Sequence, residues 1–230
     1  MYRCTMLFLS RSIAVICVHF LIIAHNKHTI NGQGVENEGN KSVLSASLYS
    51  KIFKERRNEH QTVIKNMITS ENYEKNFKLL KLAYGQIFQL IRDSNITMTS
   101  YAYEPLRDGF AQNSNLQDAV STVMENCCIA AESLIHFPEI SYRIFGKQYL
   151  EWKLMLNWCY EFVNSFPHII DESTAKLMTI LFQEINEEFR NPEYVNPYHE
   201  ASKHQEKKKE NKRHKKLKKG PSLSGGKKEL

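Results

Sequence analysis

Histidine, cysteine and carboxylate side chains are the groups in this chain able to do chemistry, and their spacing matches no catalytic set. Metalloprotease, redox and acyl-transfer sites would need His-Glu-x-x-His, Cys-x-x-Cys or Gly-x-Ser-x-Gly. Each of these brings a base, a metal ligand or a nucleophile within reach of its partner, and none occurs. Gly220 to Lys227 approaches a phosphate-binding loop, but Gly226 stands where the lysine belongs. No helix is expected after it whose N-terminus could hold a phosphate. The histidines are dispersed. His136 reads as a helix end, either a cap or a surface residue. His60 belongs to a charged turn, and His199, His204 and His214 to a solvated tail. Glu184, Glu187 and Glu188 share one helix and read as a solvated face. Trp152 and Trp158 lie six apart, on different faces; one is core, the other core or part of an interaction patch. With no nucleophile beside a base and no metal-ligand set, neither an enzyme nor a cofactor is expected.

The cysteines are too few for a disulfide-stapled module, so the core must come from packing. Three lie beyond the N-terminal region: Cys127, Cys128 and Cys159. Neighbours on a helix point about 100° apart, which excludes a Cys127–Cys128 bridge. Either Cys128 or Cys127 could pair with Cys159, leaving the other as a small buried apolar residue.

The two ends carry addresses. Arg3 and Arg11 precede an almost unbroken apolar run from Ile13 to Ala24, the layout of a signal peptide over residues 1–24. Cleavage falls after Ala24 or as late as 34, where Gly32-Gln33-Gly34 offers small residues. A membrane span needs about 20 apolar residues, more than this run supplies, so no transmembrane anchor is expected. A signal anchor or a buried helix are the other readings of the run. At the other end Lys227-Lys228-Glu229-Leu230 resembles a retrieval signal of the endoplasmic reticulum (ER), read through the carboxylate, Leu230 and Glu229, with Lys228 where the best-known form has Asp. Asn40-Lys41-Ser42 and Asn95-Ile96-Thr97 are N-glycosylation sequons.

The formal charge of +6 is concentrated in one place. Residues 203–219 hold ten Lys or Arg against two Glu, so the rest of the chain is slightly acidic. Lys207, Lys208, Lys209, Lys212, Arg213, Lys215, Lys216, Lys218 and Lys219 form a basic run that reads three ways: a nuclear signal, an arm for nucleic acid or acidic surfaces, or a solvated spacer for the terminal address. No aromatic residue interleaves it, against base stacking. In a lumen nucleic acid is absent, and an acidic chaperone or membrane surface is the natural partner.

Between the ends the periodicity is helical throughout. Residues 25–43 read as a flexible leader and 44–190 as the folded domain. Leu48, Ile52, Val63 and Met67 recur at helical spacing, with the charged stretch 54–60 between them as a solvated turn or two. Tyr73, Phe77, Leu80, Tyr84, Ile87 and Ile91 step 4-3-4-3-4, and Gly85 inside marks a close helix contact. Residues 93–112, with Pro105 and Gly109, read as a loop. Ser114-x-x-Gln117 opens a capping box before Leu116, Val120, Val123, Cys127, Ala130 and Leu134. One or two helical turns follow over Ile140–Phe145. A helix over 147–164 carries Leu150, Leu154, Trp158 and Phe162, with Trp152, Met155, Leu156 and Cys159 beside them. Asp171 caps a last one running through Leu177, Ile180, Leu181, Ile185 and Phe189. Asn191-Pro192 stops it, and 191–230 is an extended basic tail. The expected fold is all-α: an antiparallel bundle of about five amphipathic helices with a disordered basic C-terminal tail.

Several short stretches occur in an order that resembles the coiled-coil domain-containing protein 134 family. They are Tyr49-Ser50-Lys51-Ile52-Phe53, Arg56-Arg57, Lys65-Asn66-Met67, Asp118-Ala119-Val120, Val123-Met124-Glu125-Asn126 and Phe137-Pro138. Further on come Trp152-x-Leu154-x-x-x-Trp158, Leu181-x-Gln183-Glu184, Asn191-Pro192, and Lys219-Gly220-Pro221 ahead of Glu229-Leu230. The likeness covers about 48–230, and the chain reads as a divergent, invertebrate-like member. It departs in Lys227-Lys228, where relatives tend to have a neutral polar pair, and in its extra Cys127 and Cys128. The resemblance implies a non-enzymatic lumenal protein, retained in the ER and partly secreted. Its partners would be the retrieval receptor, the chaperone endoplasmin, and the translocation and glycosylation machinery. It would limit excess glycosylation and turnover of endoplasmin, with effects on mitogen-activated (MAP) kinase signalling. A nuclear adaptor working through the basic tail and a secreted ligand-like bundle are the alternatives.

Overall fold

The computed structural model describes residues 43–199. The signal segment, the leader to residue 42, Asn40, and the chain from residue 200 through the basic run to Leu230 lie outside the described residues. The helices are α1 (Ala46–Ser70), α2 (Tyr73–Ser100), α3 (Pro105–Asp108), α4 (Ser114–His136), α5 (Pro138–Phe145), α6 (Tyr149–Asn164) and α7 (Glu172–Ile185). Single 3-10 turns span Gly146–Gln148 and Glu187–Phe189. No strand occurs among the described residues, so the fold class is the expected all-α bundle.

Helix α4 is the axis. It packs against α1, α2, α5, α6 and α7, and nearly every residue from Leu116 to Ile135 is buried. A helix apolar all round belongs inside a protein. Small side chains at Ala119, Cys127, Cys128, Ala130 and Ala131 let the neighbouring helices approach it. The flanking helices bury one stripe each. Tyr84, Phe88 and Phe145 close an aromatic cluster with Trp152, whose ring lies 4.2 Å from that of Phe88 and 4.8 Å from that of Phe145.

Local chemistry sets the helix ends. Ser45, Asn72 and Asp171 cap α1, α2 and α7, each accepting the N–H three residues on. At α4 the cap is Asn113, not Ser114, and its side chain takes the N–H groups of Asn115 and Leu116. Gln117 is then free to leave the expected capping box. Its amide bonds both the N–H (2.9 Å) and the carbonyl (2.7 Å) of Leu44, and also the Ala111 carbonyl. The chain ahead of α1 is thereby stitched to the start of α4. At the other end the Arg190 guanidinium donates to the carbonyls of Gln183 and Glu184, closing the last turn of α7. The Tyr194 hydroxyl donates to the Glu184 carboxylate at 3.1 Å. Val195 opens a second unit, described only to residue 199, in which the Asn196 side chain accepts the Tyr198 N–H.

Several expectations are corrected. Helix α1 runs without a break through 54–60, and α2 continues through the expected loop to Ser100. On α6 the expected stripe holds in part: Phe162 and the flanking Leu156 and Cys159 are buried, while Leu150 and Leu154 stand 68% and 65% exposed. Phe189, outside α7, is exposed as well. Tyr73 begins its stripe at the surface, beneath the Arg143 guanidinium. Gly85 marks no close contact, because nothing lies within 4 Å of where its Cβ would be.

That last point is testable. An exposed glycine in a helix interior costs about 0.5–1 kcal/mol relative to alanine. Gly85→Ala should raise the melting temperature by roughly 2–4 °C, since a change of about 1 kcal/mol moves a domain of this size by that much. A lower melting temperature, by calorimetry, would mean the position is packed after all.

Candidate functional site

The polar groups that the fold brings together lie in the seam between α1 and α4. The buried face of α1 is Tyr49, Phe53, Arg57, His60, Ile64 and Met67, one continuous helical stripe with two polar members. Arg57 is 4% exposed and His60 0%, so two residues of the expected solvated stretch are core, while Lys54, Glu55, Asn58 and Glu59 stay exposed. The reason is across the seam. Arg57 Nη2 donates to Glu132 Oε1 at 2.6 Å, with both side chains buried. Four residues along α4, His136 Nε2 lies 3.3 Å from the other Glu132 oxygen. Burial by itself would raise the Glu132 carboxyl. The hydrogen bonds and positive charge of His136 and Arg57 outweigh it and hold the group below its usual range, so Glu132 is an anion.

His60 is the opposite case. Burial first, and then the charge of Arg57, push its imidazole down to about 3. It is neutral at physiological pH, and neither ring nitrogen has a hydrogen-bond partner in the described structure. The Ser133 hydroxyl is likewise unpartnered. His60 therefore activates no nucleophile. A second carboxyl, Glu125, sits one turn or more before Glu132 on α4, near Tyr49, Arg56 and Glu59. Burial raises it to about 7; attraction by Arg56 opposes this and repulsion by Glu59 adds to it. Arg56 itself is paired with Glu59 at 2.9 Å.

The remaining sequence candidates are scattered. Asn95 is exposed on α2, one turn before its end, and the Thr97 hydroxyl of its sequon donates to the Asp93 carbonyl. Trp152 and Trp158 are both half-buried, Trp158 against Phe162. Glu188 holds Lys153 at 2.9 Å, tying the end of the body to α6. Cys127, Cys128 and Cys159 are all buried and free. Among the described residues no group of three or more His, Cys, Asp or Glu is placed to hold a metal. No helix among them is long and apolar enough to cross a membrane.

What this arrangement does is hold helices in register. An all-α bundle with a buried ion pair across its central seam is the class of protein that fold and site define. The chain belongs to the family described as "ERK and JNK pathways, inhibitor", whose model matches residues 34–224. It is similar to coiled-coil domain-containing protein 134 of Mus musculus, 29% identical over 208 residues that span 83% of this chain and 90% of the mouse protein. The protein of the same name from Xenopus tropicalis is 23% identical over 168 residues, 73% of this chain and 72% of the frog protein. These likenesses bear out the family resemblance read from the sequence. No solved structure matches the chain.

Sequence reasoning passed over Arg57, His60, Gln117 and Glu132. The signal was present at two of them. Tyr49, Phe53, Arg57, His60, Ile64 and Met67 step 4-4-3-4-3, so residues 57 and 60 fall on the apolar stripe rather than opposite it.

Two outcomes follow. Removing one member of a buried ion pair leaves an uncompensated charge and costs about 3–5 kcal/mol, whereas an apolar pair of similar volume is near neutral. Arg57→Ala should thus be strongly destabilised in urea titration, and the double variant Arg57→Met with Glu132→Leu should recover most of that loss; equal losses would show that the charges do not couple. The second outcome is pH dependence. His60, depressed from 6.5 to about 3, contributes stability that is lost as pH falls across that interval, because the unfolded chain takes up the proton first. Glu125, raised from 4.5 to about 7, contributes stability that is lost as pH rises across its interval. The two trends oppose each other in the overlap. His60→Leu should leave stability falling with rising pH from 4.5 to about 7. Glu125→Gln should leave it rising with pH up to 6.5. Superimposable pH profiles for wild type and both variants would contradict these assignments.

Proposed function

We propose that this chain is a non-enzymatic helical adaptor of the ER lumen, partly secreted, that modulates ERK and JNK signalling. The observation that carries this reading is the family match over residues 34–224, under a description that names inhibition of those two pathways. A bundle whose buried polar groups are used for packing, with no nucleophile activated by His60, supports a binding role over a catalytic one. The compartment rests on the apolar run at Ile13–Ala24, the sequons at Asn40 and Asn95, and the terminal Lys227-Lys228-Glu229-Leu230. In the folded helix the Thr97 hydroxyl is engaged, so glycan transfer to Asn95 precedes folding of α2, as it would during entry into a lumen. The partner we assign, from the family resemblance, is endoplasmin: the adaptor limits its excess glycosylation and turnover, with downstream effects on MAP kinase signalling. The basic run at 207–219 offers an acidic chaperone a complementary surface.

The test is expression of the full chain with an internal tag. Removal of the N-terminal segment, a mobility shift on glycan digestion, and release to the medium on deleting Leu230 are expected together. Proximity labelling in the lumen should recover endoplasmin, and phosphorylated ERK and JNK should fall with the wild type but not with a variant lacking residues 2–24. An uncleaved, unglycosylated protein would rule out the compartment. Normal cleavage without endoplasmin among the main partners would rule out the partner and leave the compartment standing.

A further inference from the structure

Two of the three buried cysteines meet across a helix–helix contact. Cys127 lies on α4 and Cys159 on α6, two helices that pack together, and both residues are fully buried. After burial, Cys159 is the first group acting on the Cys127 thiol. Cys128 is one residue on and so about 100° around the helix. Arg57 and Glu132 of the α1–α4 seam act on its thiol, and Cys159 acts on it more weakly.

We infer that Cys127 and Cys159 are a disulfide-forming pair that locks α6 onto α4, and that Cys128 remains a thiol. The oxidant is a small disulfide such as oxidised glutathione. One protein thiolate attacks a glutathione sulfur, the glutathione S–S bond breaks, and one glutathione thiolate leaves and takes up the proton. The second protein thiol then attacks the protein-bound sulfur and expels the other glutathione. Two protein thiols are oxidised by two electrons, and one glutathione disulfide is reduced to two thiols. Burial raises the Cys127 and Cys128 thiols, so neither reacts readily in the folded protein. Oxidation therefore belongs to the stage before α6 packs, or to moments when α6 opens. The bond closes the loop from α4 through α5 to α6 and restricts the unfolded chain.

The inference takes from the lumenal reading only the cellular source of oxidant, so the test uses purified protein. The full chain is unfolded, refolded in a mixture of reduced and oxidised glutathione, alkylated and digested with trypsin. Cys127 and Cys128 fall in one peptide, 108–143, and Cys159 in another, 154–176, so variants assign the bond. The two peptides should be joined, two hydrogens lighter than their sum, in the wild type and in Cys128→Ser. In Cys127→Ser they should separate. Adding a reductant should lower the melting temperature by several degrees in wild type and Cys128→Ser, and leave Cys127→Ser unchanged. A Cys159 found alkylated in the refolded wild type would overturn the inference, as would a join that survives in Cys127→Ser and is lost in Cys128→Ser. Where a variant fails to refold, fragmentation of the joined wild-type peptides between Cys127 and Cys128 assigns the bond. An uncleaved signal segment in cells would refute the compartment without touching this result.

Discussion

The ion pair between Arg57 and Glu132 is the constraint around which the bundle is arranged. It sits inside the contact between the first helix and the central one, both partners almost wholly removed from water. Two charges in such a place are tolerated only with close geometry and further hydrogen bonds. His136 supplies one of these from the next turn of α4. The pair admits one register of α1 against α4. A slide of one turn would leave a buried guanidinium facing hydrocarbon and a buried carboxylate with no cation. Such pairs add little to net stability and more to the choice among alternative packings.

The rest of the body adapts to that register. Gln117 holds Leu44 at the far end of the same seam, so α1 is fixed near its start by an amide and in its middle by a salt bridge. On its other sides α4 offers mainly alanine, cysteine and larger apolar groups, and α2, α6 and α7 close on it through hydrophobic contact. The aromatic cluster of Tyr84, Phe88, Phe145 and Trp152 joins α2, α5 and α6 in turn. Tyr84 also shares a buried hydrogen bond of 2.8 Å with Ser141 on α5. Polar bonds thus set direction in two places, and apolar burial, at about 1.5–3 kcal/mol for each large side chain, does the rest.

Nothing in the seam resembles an active site: the buried histidine is neutral and unpartnered, and the buried carboxylate serves its arginine. The family's description names inhibition of the ERK and JNK pathways and no catalysed reaction.

The sequence by itself determined the helical class, the five long helices and most of their ends. Those features are local. Apolar spacing near 3.6, a capping Asp171 and the break at Phe137-Pro138 act within a few residues, whereas α7 ends at Ile185, ahead of the stop read at Asn191-Pro192. It also carried enough ordered short stretches to show the family. The stripes read on α4 and α7, and most of that on α2, are buried as expected, but the buried face of α6 and the polar members of the α1 stripe were settled by tertiary structure. Leu150 and Leu154 have the spacing of a core stripe, yet α6 turns Cys159 and Leu156 inward, because α4 and α7 offer complementary surface on that side. Arg57 and His60 look like surface residues until Glu132 is placed opposite, since burial of a charge depends on its counter-charge and not on its own neighbours in sequence. The pairing inferred for Cys127 with Cys159 is of the same kind. One residue is 100° of rotation, and only the packed partner says which direction is inward.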